Sequence, residues 1–257
     1  MRPSPRRPTA TVTSAAGPPV RPVRRERMRR MSTMPRPSVT RMVEDYVTLI
    51  WKAYEWPGGR PATTDLAEQL GVTASTVSAN LKKLARDGYI DYEPYGQITL
   101  TDAGRQIAVE TVRRHRILET YLVEALGLTW DQVHDEADRL EHAVSDLVLE
   151  AMNAALGHPN RDPHGDPIPD AHGQTAMRPS RPLHEARSGA ECEVVRVSDR
   201  SPDLLRYLHD RGIVIGAKLR VASVSAAASA ITVQLDGEDI ELALDAAEAI
   251  RIVPDID

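Results

Sequence analysis

Apolar residues recur at helical spacing at Val39, Val43, Val47 and Ile50, which predicts a first helix from about Ser38 to Tyr54, stopped by the Pro57-Gly58-Gly59 break. The next stretch, TTDLAEQLGV, offers threonines as caps, sets Leu66, Ala67 and Leu70 on one side and ends at Gly71, as a short helix does. A third helix restarts at Thr73. In it Val77, Leu81 and Leu84 form a narrow apolar stripe, leaving Ser75, Ala79, Lys82 and Arg86 facing outward. YIDYEPYGQITLT then alternates apolar and polar residues on both sides of Pro94-Tyr95-Gly96, which predicts two strands and a turn. A short helix, a turn containing glycine and a helix with a small, polar and basic outer face make a helix-turn-helix pattern, and the hairpin supplies the wing of a winged helix.

A long helix is predicted from Asp102 to Leu126, with Gly127 as its stop, and Thr129 with Gln132 forms a capping box for the helix after it. Periodicity then disappears. Residues 157–188, including HPNRDPHGDPIPDAHG, read as a linker. From Gly189 onward CEVVRVS, KLRVASV, AITVQL and DIELALD are short alternating strands, with a helical PDLLRYLHDRG between the first two, and they predict a small β-barrel. That barrel carries no evident catalytic groups and is read as a stabilising or protein-contact module.

Composition narrows the class. A 257-residue chain with 41% apolar residues is long enough for folded domains with their own cores, and its apolar runs are too short for a membrane span. The single cysteine, Cys192, excludes an internal disulfide and thiolate-rich zinc sites, pointing to a reducing cytoplasm, and it reads as a small buried apolar residue. The net charge of −5 divides unevenly: residues 1–37 carry +9, from ten arginines and Glu26, and the rest carries −14. Residues 1–37 have too little apolar surface to offset their ordering entropy and are expected to be a disordered basic leader. It is either an arm that holds nucleic acid or a dispensable extension ahead of Met31 or Met34. Against the acidic remainder, Arg60, Lys82, Lys83 and Arg86 form a local basic patch around the helix-turn-helix.

The candidate chemistry is concentrated in VHDEADRLEH, residues 133–142. On a helix, His134, Asp138, Glu141 and His142 fall within an arc of roughly 100°, while Glu136 points away and Asp135 sits at the margin. On the preceding helix RRHRILE sets His115 and Glu119 four residues apart, again on one face. Such a donor set suits a divalent ion, which needs several lone pairs converging within about 2 to 2.5 Å. The alternative is a charged surface with internal pairs such as Glu119 with Arg116 and Glu141 with Arg139. His158, His164 and His172, scattered through a proline-rich stretch, are read as solvated and left out of the site.

With the winged helix, RHRILE, VHDEADRLEH and PHGDPIP in that order, the chain resembles the diphtheria-toxin-repressor family of metal-dependent transcriptional repressors, from about Ser38 to the C-terminus. The resemblance implies a mainly α fold with small β parts. It divides into the leader (1–37), a winged helix-turn-helix (38–105), a metal-binding and dimerisation domain with linker (106–180) and an SH3-like barrel (181–257). It also implies two metal sites, one from His115, Glu119 and His134, the other from Asp45, Asp138, Glu141 and His142. Asp45 enters only through the resemblance.

Carboxylates at Asp45 and Asp138, where iron-responsive members resembling this chain place methionine and cysteine, imply the manganese-responsive branch, since hard oxygen ligands suit Mn²⁺; Fe²⁺ or another divalent metal is the alternative. In the segment DRSPDLLRY, where barrels of the iron type lend an acid and an amide to the first site, only Asp199 and Asp203 stand, and neither is assigned. By the same resemblance Thr73, Ser75, Ser78, Ala79 and Asn80 lie nearest base edges, and Thr63, Lys83 and Arg86 near phosphates. The partners implied are palindromic operator DNA and a second copy of the chain, joined through Leu118, Leu122, Leu147 and Val148. Two rival functions remain open: a dinuclear metallohydrolase, and a winged-helix regulator that senses an organic ligand.

Overall fold

In the computed structural model, residues 39–254 are described except 57, 94, 95, 171 and 172; the basic leader, Ser38, the tip of the predicted hairpin and His172 lie outside them. The N-terminal unit is α1 (Arg41–Glu55), α2 (Thr63–Gln69), α3 (Ala74–Arg86) and the antiparallel pair β1 (Ile90–Tyr92) and β2 (Ile98–Leu100). Val77, Leu81 and Leu84 are buried as their spacing requires, joining Val43, Val47, Ile50 and Leu66 in one core. Thr73 caps α3, its hydroxyl accepting the N–H of Thr76 at 3.2 Å.

The long helix α4 (Asp102–Glu124) packs against α1 and is followed by α5 (Val133–Leu140) and α6 (Asp146–Ala155). The predicted capping box forms only in half: Gln132 Oε1 accepts the N–H of Thr129 at 3.2 Å, but a turn intervenes and the helix begins at Val133. It also stops early. Glu141 is its C-cap and His142 falls in the turn beyond, so the ligand-rich face is a helix followed by a turn.

Two expectations are corrected here. Residues 160–170 do not form a solvated linker: Asp162, His164, Asp166 and Ile168 are buried, with Asp162 Oδ1 accepting the backbone N–H groups of His164 (2.9 Å) and Asp166 (2.8 Å). Leu118 and Leu122, expected at a dimer interface, are buried within the chain, Leu118 against Ile117, Ala137, Leu149 and Ile168. Leu147 and Val148 do face outward, and they line a groove with Tyr121, Ala151, Met152 and Ala155.

The C-terminal sheet has strand order β3-β8-β4-β5-β6-β7, built from β3 (Arg181–Pro182), β4 (Glu191–Val197), β5 (Lys218–Ser225), β6 (Ala230–Leu235), β7 (Glu238–Ala243) and β8 (Ile250–Pro254), all antiparallel. Helix α7 (Pro202–His209) follows β4, and α8 (Leu244–Glu248) precedes β8. Cys192 is buried in this core, as read. So is Trp130, from the turn before α5, whose indole N–H donates to Leu205 O at 3.1 Å. A register shift between Val194 and Arg196 breaks the alternation of β4. Arg196 there donates to Glu55 O at 3.0 Å and lies 4.1 Å over the Trp56 ring, so the sheet rests on the end of α1.

Candidate metal centre

His115 and Glu119, one turn apart on the inner face of α4, are buried completely or nearly so. His115 Nε2 lies 3.0 Å from Glu119 Oε1 and 3.2 Å from His134 Nδ1, which is itself 3.3 Å from the same carboxylate oxygen. A fourth donor comes from the loop after β4: Asp199 Oδ2 lies 3.1 Å from His134 Nδ1. One potential ligand atom from each of His115, Glu119, His134 and Asp199 falls within 4.8 Å of the others. Asp203, the other acid of that segment, is exposed and paired with Arg206.

The second grouping joins α1 to the end of α5. His142 Nε2 lies 3.0 Å from Asp45 Oδ1 and 3.3 Å from Glu141 Oε1, and its Nδ1 lies 2.6 Å from Glu44 Oε2. Asp138 does not close with these three; with Glu141 it closes on His115, whose Nδ1 lies 3.1 Å from Asp138 Oδ1 and 2.8 Å from Glu141 Oε2. The physical reason is the end of α5, which carries His142 toward α1 while Asp138, a turn earlier, faces α4. His115 therefore stands between both groups. All seven residues singled out in the sequence converge, in groups divided differently from the implied sets.

Sequence reasoning did not single out Glu44 or Asp162, left Asp199 unassigned and set His164 aside as solvated. His164 is fully buried and shares a fourth grouping with Glu119 and Asp162. Its Nε2–H donates to Trp130 O at 2.8 Å, so that in the neutral ring Nδ1 carries the lone pair. That Nδ1 and Glu119 Oε2 are buried without a hydrogen bond, although Glu119 Oε1 stands 3.8 Å from the ring nitrogen. Orphaned buried polar atoms are rare and costly, and a cation ligated by both would satisfy them. Hydropathy offers no signal for these residues; the density of His and Asp in RDPHGDP hints at Asp162 and His164 alone.

The surrounding charges favour cations. Burial works against the charged form of His134, yet Asp199 raises its pKa to about 9, and Glu119 in the same way raises that of His164 to about 10. His115 is also raised, against burial, chiefly by Glu119. Burial likewise opposes ionisation of Glu119 and Asp199, but His115 holds Glu119, and Lys52 holds Asp199, well below the usual carboxylate range. The surface pairs proposed as the alternative do not form. Arg116 turns inward to Glu55, Asp162 and Asp166, and Arg139 pairs with Glu136.

On the outer face, Ser75, Ala79 and Lys83 of α3 are exposed, with Thr63 at the start of α2 partly so. Asn80 is half-buried and its amide donates to Tyr46 Oη at 3.0 Å, and Arg86 is paired with Asp87 at 2.9 Å.

A winged helix whose first helix brings acids to a histidine–carboxylate cluster is the architecture of a DNA-binding protein with a candidate metal centre. The chain belongs to the iron-dependent repressor family of metal-dependent transcriptional repressors. Residues 38–98 match its N-terminal DNA binding domain, residues 101–170 its metal binding and dimerisation domain, and residues 181–254 a FeoA domain. The iron-dependent repressor IdeR of Mycobacterium leprae is 32% identical over 224 residues, covering 81% of this chain and 95% of that protein. The diphtheria toxin repressor of Corynebacterium diphtheriae is 30% identical over 219 residues, with coverage of 81% and 95%. Among solved structures, a manganese-dependent transcriptional repressor in complex with manganese is 47% identical with a TM-score of 0.78, covering 82% of this chain and 99% of that one. The manganese regulator SloR is 31% identical, with a TM-score of 0.72 and coverage of 84% and 100%. Among the described residues, no helix is long and apolar enough to cross a membrane.

Proposed function

We propose that this protein is a manganese-responsive repressor of the cytoplasm that, loaded with metal, holds palindromic operator DNA as a homodimer. The observation that carries the reading is the meeting of Asp45 and Glu44 on α1 with His142 and Glu141 at the end of α5. The helix that shares a core with the recognition helix thereby contributes to the candidate metal centre.

The first site consists of His115, Glu119 and His134, extended by Asp199 and by His164 with Asp162; the second consists of Asp45, Glu141 and His142, with Asp138 and His115 between the two. Bound there, divalent cations supply the positive charge that lets so many carboxylates crowd together. The side chains do the rest. Asp45 and Glu44 draw α1 against α5, and α1 sets the position of α3 through the shared core of Val47, Ile50, Leu66 and Val77. Two copies so fixed present both recognition helices at the spacing of successive major grooves. Thr73, Ser75, Ser78 and Ala79 then face base edges, and Thr63, Lys83 and, once released from Asp87, Arg86 face phosphates. With oxygen at Asp45 and Asp138 the donor set is hard, which suits Mn²⁺ over softer ions.

The test is a fluorescence-anisotropy titration of operator DNA with Mn²⁺, with Fe²⁺ under anoxia, with Zn²⁺ and with chelator. Mn²⁺ is expected to tighten binding at least tenfold, and Asp138→Ala to abolish most of that gain. Equal affinity in chelator would leave a regulator of another ligand. Hydrolytic turnover with Mn²⁺ would favour the metallohydrolase. Exchanging Asp45 for Met together with Asp138 for Cys is expected to shift the response toward Fe²⁺. An unaltered metal profile would remove the manganese assignment.

A further inference from the structure

Helix α1 carries a cation toward the same region to which it brings its acids. Lys52 is seven residues after Asp45, about two turns along and on the same face, and its ammonium lies 3.7 Å from Asp199 Oδ2 with both side chains largely buried. That oxygen is the one that stands 3.1 Å from His134 Nδ1. One carboxylate oxygen is therefore shared between a fixed lysine and the first cluster. Lys52, His134, Asp138 and Asp199 also line a common cleft of about 240 Å³, which gives the flexible lysine stem room to swing away from Asp199.

We infer that Lys52 is a tethered counter-cation of the first cluster: it neutralises Asp199 in the absence of metal, must yield that oxygen when metal binds, and so sets the metal level at which the repressor responds. The inference rests on the metal-responsive reading above. The charge argument is direct. A unit positive charge within a few ångströms of a partly buried site opposes arrival of a second cation, and removing it should tighten binding on the order of tenfold or more. The same removal leaves the crowded carboxylates less compensated and weakens the metal-free fold. Because Lys52 and Asp45 share α1, loading the first cluster loosens one end of the helix from the sheet, while loading the second draws the other end inward.

The experiment is calorimetric titration of the full chain with Mn²⁺, alongside thermal unfolding in chelator, for wild type, Lys52→Met and Lys52→Arg. In Lys52→Met one class of site is expected to bind at least tenfold more tightly and the chelated protein to melt several degrees lower. Lys52→Arg, which keeps the charge, should match wild type in both and serves as the check that the position tolerates substitution; should Lys52→Met fail to fold, Lys52→Gln takes its place. Unchanged or weaker Mn²⁺ binding in the neutral variant, or an unchanged melting midpoint in chelator, overturns the inference. Wild-type protein that takes up no Mn²⁺ overturns instead the metal-responsive reading on which it rests.

Discussion

At the residue scale the site is a set of titratable groups whose pKa values are pushed apart by one another. His134 shows the consequence for stability. Burial opposes its charge but Asp199 raises its pKa to about 9, above the unfolded value near 6.5. A group raised in this way contributes stability that is full below its unfolded pKa and is lost as pH rises through the folded one. Protein kept in chelator should therefore lose on the order of 1–3 kcal/mol between pH 6.5 and 9.5 in urea denaturation, after discounting for coupling to its neighbours. A flat or rising stability over that range would contradict the assignment. With Mn²⁺ present the trend reverses, since the ion and the proton compete for the same ring nitrogens.

At the element scale, what the sequence disclosed follows from where burial is periodic. Val77, Leu81 and Leu84 mark α3 because a single stripe meets a single core, and Thr73 marks its start through an ordinary cap. VHDEADRLEH betrays its chemistry because a helix places donors at i, i+4 and i+7 on one face. The segment 160–170 has no such signature. Its order comes from partners distant in sequence: Arg116 beside Asp162, Trp130 O accepting from His164, and His164 O accepting the N–H of Val197. Asp199 could be named but not assigned for the same reason, as a loop residue whose meaning depends on how the sheet docks.

Gly165 tests how tightly that segment is held. Its φ is +84°, and an added Cβ would meet Val195 O at 2.1 Å. Gly165→Ala is expected to cost at least about 1–3 kcal/mol of stability and to weaken Mn²⁺ binding by displacing His164. A variant as stable and as tight-binding as wild type would show that the loop is not seated against β4.

At the scale of the whole molecule, Leu149 turns one side of α6 into the core while Leu147 and Val148 stand outside every core formed by the described residues. Leu147 is 67% and Val148 43% exposed, beside Tyr121 and Met152. A second copy covering this groove would account for two large aliphatic residues standing there, and introducing aspartate at both is expected to yield a monomer in sedimentation with at least tenfold weaker operator binding. A dimer of unaltered stability would move the interface elsewhere. The sequence could not separate these residues from Leu118 and Leu122, since all four are apolar and helical, and only packing tells an internal leucine from an interfacial one.

Trp130 unites these scales. Its indole is embedded in the sheet's core, its carbonyl accepts from His164, and its ring stacks on that histidine with centroids 5.9 Å apart. A natural fluorophore thus sits against a side chain of the candidate metal centre, with Trp51 and Trp56 as the other two tryptophans of the chain. Replacing those two by phenylalanine would leave an intrinsic optical gauge, through which ion occupancy and seating of the sheet on the helices become visible in one emission spectrum without any attached label.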